Sequence, residues 1–161
     1  MRVPIIIASP HDQEWADKII EGLKEFGIPY KVHIASAHKV PEKVLDIVQK
    51  YNEEKEICFI TVAGRSNGLS GVVAANSAHP VIACPPFKDK SDYLVNIHSS
   101  LQMPSDTPVL TVLDPSNAAS AAVRILGIKN EELKKKIEQK IKMLKKSFPW
   151  IHPNHRAQSA E

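Results

Sequence analysis

Two rhythms of apolar residues alternate along this chain. Short runs rich in β-branched residues recur, and longer segments with helical spacing fill the intervals between them. Residues 3–8 (VPIIIA) form the first run, nearly continuous in the way a strand covered on both faces of a parallel sheet requires. A polar turn, Ser9-Pro10-His11-Asp12, leads into residues 13–26. There Trp15, Ala16, Ile19, Ile20, Leu23 and Phe26 share one helical face, and Gly27 stands where a C-terminal cap glycine belongs. Residues 30–35 predict a second strand, Ser36-Ala37-His38-Lys39 a second turn, and Pro41 the start of a second helix carried by Val44, Leu45, Ile47, Val48 and Tyr51. Residues 57–62 (ICFITV) predict a third strand. The turn Ala63-Gly64-Arg65-Ser66-Asn67-Gly68 and a small-residue helix over 69–75 come after it. Strands over 81–84 and 109–113 and helices over 92–101 and 115–126, the last closed by Gly127, complete the alternation.

This order of strand, turn and helix predicts a three-layer α/β/α sandwich with a central parallel sheet, flavodoxin-like or Rossmann-like. A separate helix is expected over 131–148, where Leu133, Ile137, Ile141, Leu144 and Phe148 recur at spacings of four, four, three and four and the other face is mostly lysine. Residues 149–161 predict no regular element. Residues 1–127 thus form the expected main domain, and 128–161 a basic amphipathic helix and tail of the same unit.

At 161 residues the chain has the size of one domain. Its 43% hydrophobic and 24% charged residues exclude a disordered or collagen-like class. The net charge of +3 is not spread evenly. Residues 128–161 hold nine Lys/Arg against four Asp/Glu, whereas residues 1–127 hold twelve against fourteen. The main domain is therefore nearly neutral, and a general nucleic-acid surface is not expected. The lysine face of the last helix reads either as a solvated face or as an attraction for an anionic partner. Cys58 and Cys84 lie in apolar runs without a CxxC, which argues against a disulfide framework and a structural zinc site. His152 and His155 are too few for a metal site. No apolar stretch approaches the roughly 20 residues needed to span a membrane, so a soluble cytoplasmic protein is expected.

Ligands of open α/β sheets bind at the carboxyl ends of the strands, and three turns there carry unusual polar residues. The first offers Ser9 and Asp12, the second Ser36, His38 and Lys39, the third Gly64, Arg65, Ser66 and Asn67. Hydroxyls, a lysine and backbone N–H groups ahead of helix N-termini suit a phosphate. Asp12 suits a ribose hydroxyl or an amine. The imidazole of His38 can move a proton near neutral pH. Each element also has a plainer reading: Ser9 and Asp12 as helix caps, His38 as a hydrogen-bonded structural residue, Gly64 and Gly68 as turn formers. GxGxxG and GxxxxGK[ST] are both absent, which disfavours a dinucleotide site and a P-loop.

The turns also occur in a specific order. Phe26-Gly27-Ile28-Pro29-Tyr30, Ser36-Ala37-His38-Lys39, AGRSNGLSG at 63–71, PVIACPP at 80–86, SSLQMPS at 99–105 and Asn117-Ala118-Ala119 succeed one another. In these the chain resembles the aminoimidazole ribonucleotide (AIR) carboxylase family of purine biosynthesis, from about Val3 to Gly127. The family has a branch that combines AIR with CO2 without ATP and a mutase branch that moves a carboxylate from the substrate's exocyclic nitrogen. The mutase branch carries a third turn like AGxxxHLPGM and an Arg after the catalytic His. The turn AGRSNGLSG and Lys39 after His38 are instead similar to the CO2-using, animal-like branch.

The resemblance implies reversible carboxylation of AIR to 4-carboxy-AIR, a lyase activity, with no cofactor and no metal. The alternatives are the mutase and a non-catalytic sugar-phosphate-binding relative. It implies that Ser9, Ser36 and Lys39 hold the 5′-phosphate with help from Arg65 and Ser66. Asp12 would hold the ribose or orient the aminoimidazole, and His38 would transfer the proton. Gly64, Ser66 and Asn67 would form the pocket for CO2 or the new carboxylate. It implies a homo-octamer, with Gln102-Met103-Pro104 near active sites at subunit boundaries. The family's usual first turn, GSxSD, reads Ala8-Ser9-Pro10-His11-Asp12 here, so Ala8 would be strained if that position needed a positive φ.

Overall fold

The structure, a computed structural model, describes residues 1–148; the expected tail, with His152 and His155, lies outside the described residues. Strands β1 (Val3–Ile7), β2 (Tyr30–Ile34), β3 (Phe59–Val62), β4 (Val81–Ala83) and β5 (Leu110–Thr111) form one sheet in the order β2-β1-β3-β4-β5. Every neighbouring pair is parallel. Helices α1 (Gln13–Glu25), α2 (Pro41–Asn52), α3 (Gly68–Ala75), α4 (Lys90–Leu101), α5 (Pro115–Gly127) and α6 (Glu131–Ser147) make the connections and the C-terminal addition. This is the expected flavodoxin-like α/β fold, whose strand order reverses between β1 and β3.

The continuous apolar run of β1 is explained by its central place. Val3, Ile5 and Ile7 pack with Ala16, Ile19 and Leu23 of α1 and Ala118, Ala122 and Val123 of α5 on one side of the sheet. Ile6 faces the other side, with Val44 and Val48 of α2 and Leu69 and Val73 of α3. The α1–α5 contact is unusually close. A Cβ on Gly22 would lie 2.7 Å from the Ala119 Cβ, so only glycine allows this approach. Gly27 takes φ +69° and caps α1, with its N–H on the Lys24 carbonyl and that of Ile28 on Leu23.

Three expectations are corrected at element ends. The third strand begins at Phe59, because Ile57 forms only a single parallel bridge to Arg2. The fifth shrinks to Leu110–Thr111, an edge strand that comes after Pro108 and leaves Leu110 exposed. Gly127 does not close α5; it belongs to the helix and admits α6, since a Cβ there would stand 3.0 Å from the Ile137 Cδ1. The apolar stripe of α6 is used at its start, where Leu133 is buried and Ile137 packs against the core. Lys140 pairs with Glu25 of α1, while Leu144 and Phe148 remain exposed.

Candidate active site

The parallel register sets the three predicted turns side by side. Ile34, Ile7 and Val62 are adjacent partners in β2, β1 and β3. The residues two positions further along are Ser36, Ser9 and Gly64. Strands lie about 4.8 Å apart, so the three turns open within roughly 10 Å of one another at the sheet's carboxyl edge. That edge is the point where the strand order reverses.

The first turn separates its two polar residues. The Ser9 hydroxyl accepts the His11 N–H at 3.3 Å and caps the short 3-10 turn Pro10–Asp12. Asp12 precedes α1 but makes no side-chain cap bond. Its carboxylate is left for other work, and burial raises its pKa above the ordinary 3.8, against the lowering influence of the Ser9 backbone and the His11 imidazole. Ala8 has no positive φ, so alanine is unstrained at that position.

In the second turn the Ser36 carbonyl accepts the N–H groups of Lys39 at 3.3 Å and Val40 at 2.9 Å, closing the bend ahead of α2. Pro41 opens that helix, and Val40 provides no side-chain cap. His38 and Lys39 are exposed. The imidazole of His38 reaches across to α3: a Cβ on Gly68 would lie 3.1 Å from its Nε2 and 3.4 Å from its Cε1. The side chain therefore joins the second turn to the end of the third and stays out of the core.

The third turn is bound to α4. The Asn67 N–H donates to the Ser99 hydroxyl at 2.5 Å, and its amide Nδ2 donates to the Ser100 hydroxyl at 3.0 Å. The Asn67 Oδ1 accepts the Ser70 N–H at 3.2 Å, capping α3, and the Ser70 hydroxyl at 2.9 Å. The Asn67 side chain is thus occupied in holding the turn. Ser66 is exposed at φ +52°, and Arg65 is 83% exposed, with its guanidinium 3.7 Å from the Asp92 carboxylate.

A cavity of about 690 Å³ opens beside this turn, and Asp12, Gly64 and Arg65 line it together. Trp15 and Phe87 form an aromatic wall, edge to face at 5.0 Å. On the other side of the turn, Ser66 and Asn67 share a hollow of about 480 Å³ with Gln102, Met103 and Pro104. Burial pushes the thiols of Cys58 and Cys84 up to about 12, which removes both as nucleophiles at neutral pH. Among the described residues no cluster of His, Cys, Asp and Glu could hold a metal ion, and no helix is long and apolar enough to cross a membrane.

A model of the AIR carboxylase family matches residues 2–147, nearly the whole described chain. The chain belongs to the AIR carboxylase family. Its relatives include both carboxylases and a mutase by name. The phosphoribosylaminoimidazole carboxylase of Archaeoglobus fulgidus is 46% identical over 139 residues, covering 86% of this chain and 76% of that protein. The N5-carboxyaminoimidazole ribonucleotide mutase of Methanocaldococcus jannaschii is 44% identical over 147 residues, covering 89% and 91%. The crystal structure of Treponema denticola PurE superposes with a TM-score of 0.84 at 37% identity, covering 90% of this chain and 92% of that one. The chain is accordingly an enzyme of the AIR carboxylase type in purine biosynthesis.

Within this AIR carboxylase fold, one residue of the cavity wall is not disclosed by the sequence pattern. Asn96 of α4 is 2% exposed and lines the same cavity as Asp12 and Gly64. The only trace in the sequence is that Asn96, Ser99 and Ser100 recur at helical spacing, which puts three polar side chains on one face of α4. Trp15, which shares the apolar face of α1 in the sequence pattern, is half-buried, with its indole N–H on the Cys84 sulfur at 3.3 Å.

Proposed function

We propose that this enzyme carboxylates AIR with CO2, reversibly and without ATP, in the manner of the CO2-using branch. The observation that carries the reading is the His38 imidazole, held against Gly68 at the head of α3 beside the third turn. AIR is an electron-rich, enamine-like ring with a nucleophilic C4. Its C4 electron pair forms the new C–C bond to CO2, and one C=O pair of CO2 moves onto oxygen to give the carboxylate. The C4 proton then leaves to His38, and the C–H electrons restore the aromatic ring. The protein's tasks are to hold CO2 against C4 and to stabilise the growing charge. Backbone N–H groups of the third turn around Gly64 and Ser66 supply that stabilisation, with Asn67 keeping the turn in shape. Ser9, Ser36 and Lys39 clamp the 5′-phosphate, assisted by Arg65, and Asp12 holds the ribose. This clamp provides binding energy remote from the reacting carbon.

The mutase remains the second reading, favoured by the mutase name of the Methanocaldococcus jannaschii relative. A steady-state assay separates them. Wild-type enzyme with AIR and bicarbonate is expected to form 4-carboxy-AIR and to ignore added N5-carboxy-AIR. The reverse pattern establishes the mutase. We also infer a homo-oligomer, supported by the exposed Leu94, Val95 and Leu101 along α4.

A further inference from the structure

Helix α4 presents one polar stripe to the third turn, with Asn96 and Ser100 buried and Ser99 half-buried. Ser99 and Ser100 are engaged there by Asn67. Asn96 is engaged at one end only. Its Nδ2 donates to the Pro86 carbonyl at 2.6 Å, which fixes the amide's orientation. Its Oδ1 is buried and, among the described residues, the single buried side-chain polar atom without a hydrogen-bond partner. Such an atom is costly to leave unpaired.

Directly above it lies the part of the turn that is least held. Gly64 rests on the Asn96 amide: a Cβ there would be 3.3 Å from Nδ2 and 3.8 Å from Oδ1. Among the described residues, the backbone N–H groups of Gly64, Arg65 and Ser66 donate to no protein acceptor. Ser66 sits at φ +52°, a conformation that costs a non-glycine residue energy. Unused donors and a strained peptide thus stand over one unused acceptor.

We propose that Asn96 is a positioning residue for the third turn. With substrate at the rim, the segment 64–66 settles onto α4, and one of its backbone N–H groups donates to the Asn96 Oδ1. That contact fixes the direction of the remaining N–H groups, which face the growing carboxylate. Asn96 itself need not touch the substrate; it acts through the peptide of Gly64 and Arg65. The inference rests on the proposed reaction.

The test combines amide hydrogen exchange across 64–66 with kinetics, on wild type, Asn96→Ala and Asn96→Asp. In wild type, saturating AIR is expected to slow exchange of that segment by about tenfold or more, as a newly protected turn should. Asn96→Ala is expected to lose this protection, to raise KM by a few-fold because the contact already forms in the AIR complex, and to lower kcat by a larger factor, roughly 10-fold to 100-fold, because the remaining N–H groups lose their direction toward the growing carboxylate. Asn96→Asp keeps an oxygen acceptor but loses the Nδ2 donor to the Pro86 carbonyl, so it is expected to recover only part of both readouts. A merely structural side chain would move Tm without this split. Wild-type kcat and full protection in Asn96→Ala overturn the proposal. So does unchanged exchange at 64–66 in wild type that turns AIR over, a result needing no variant. A wild-type chain that binds AIR and protects 64–66 yet makes no carboxylated product overturns the proposed reaction alone. A chain that neither binds nor converts AIR overturns both.

Discussion

Gly68→Ala probes how closely the chemistry depends on the seat of His38. The added methyl would begin 3.1 Å from the imidazole Nε2, whereas its Cε1 would be 3.4 Å away. An ordinary contact needs about 3.4 Å or more, so the ring must retreat by roughly 0.3 Å. Gly68 opens α3 and has no positive φ, so alanine fits its backbone. Stability should therefore hold or rise, by up to about 1 kcal/mol from helix propensity and unfolded-state entropy. Misplacing a catalytic group by 1 Å costs on the order of 100-fold in rate, so a shift of about a third that size predicts a loss of about fivefold in kcat. Gly71→Ala is the matched control. It makes the same change in the same helix, but its methyl meets only the Met103 Sδ at 3.5 Å, an ordinary contact. Steady-state turnover and thermal melts of the two variants decide the matter. A Gly68→Ala enzyme with undiminished turnover, or a Gly71→Ala enzyme equally slowed, would refute the reasoning.

Other residues give further expectations. Asp12→Asn should weaken binding of the nucleotide substrate and yet raise Tm at neutral pH. Burial raises the Asp12 pKa, so the native state carries a cost for the ionised form above that pKa. The cost disappears as pH falls through the folded value toward 3.8, and the Tm gain of the variant over wild type should vanish with it. A gain that persists in acid would contradict this assignment. Gly22→Ala should destabilise the fold by about 1–3 kcal/mol in denaturant melts, because its methyl would stand 2.7 Å from the Ala119 Cβ between α1 and α5. An unchanged midpoint would mean that those helices separate freely. Lys39→Ala should raise KM for AIR with a smaller change in kcat; equal substrate affinity in calorimetry would remove Lys39 from the phosphate clamp.

The sheet is legible in the sequence because its central strands carry an unusually clear signal. A continuous run such as VPIII suits a strand covered on both faces, as in the centre of a parallel sheet, and β1 is placed there. The edge is less legible. Val109 and Leu113 look like strand residues, but β5 has one neighbour and comes after a proline, so pairing covers only two residues. Gly127 misleads because a glycine near a helix end has two physical uses, stopping the helix or admitting a neighbour. Only the position of Ile137 distinguishes them. At the candidate site, the strand ends disclose Ser9, Asp12, Ser36, His38 and Gly64, since a parallel register brings the turns at successive strand ends into line. Asn96 stays hidden. It lies in a helix distant in sequence from the turns, and a buried asparagine's bonding depends on the Pro86 carbonyl and the path of Gly64. Asn67 is hidden in the same way: the resemblance implies a place in the pocket for CO2, and only the folded chain shows that Ser70 and Ser100 occupy its amide.

The central claim is that an imidazole at position 38 removes the C4 proton after carbon–carbon bond formation. His38→Asn keeps a polar side chain in the turn and removes the imidazole, leaving the proposed phosphate clamp and the third turn in place. AIR binding and product formation from AIR and bicarbonate, measured on the same preparation, address it together. The account predicts affinity within a few-fold of wild type and turnover lower by roughly 100-fold or more. Undiminished turnover at full AIR affinity would contradict it.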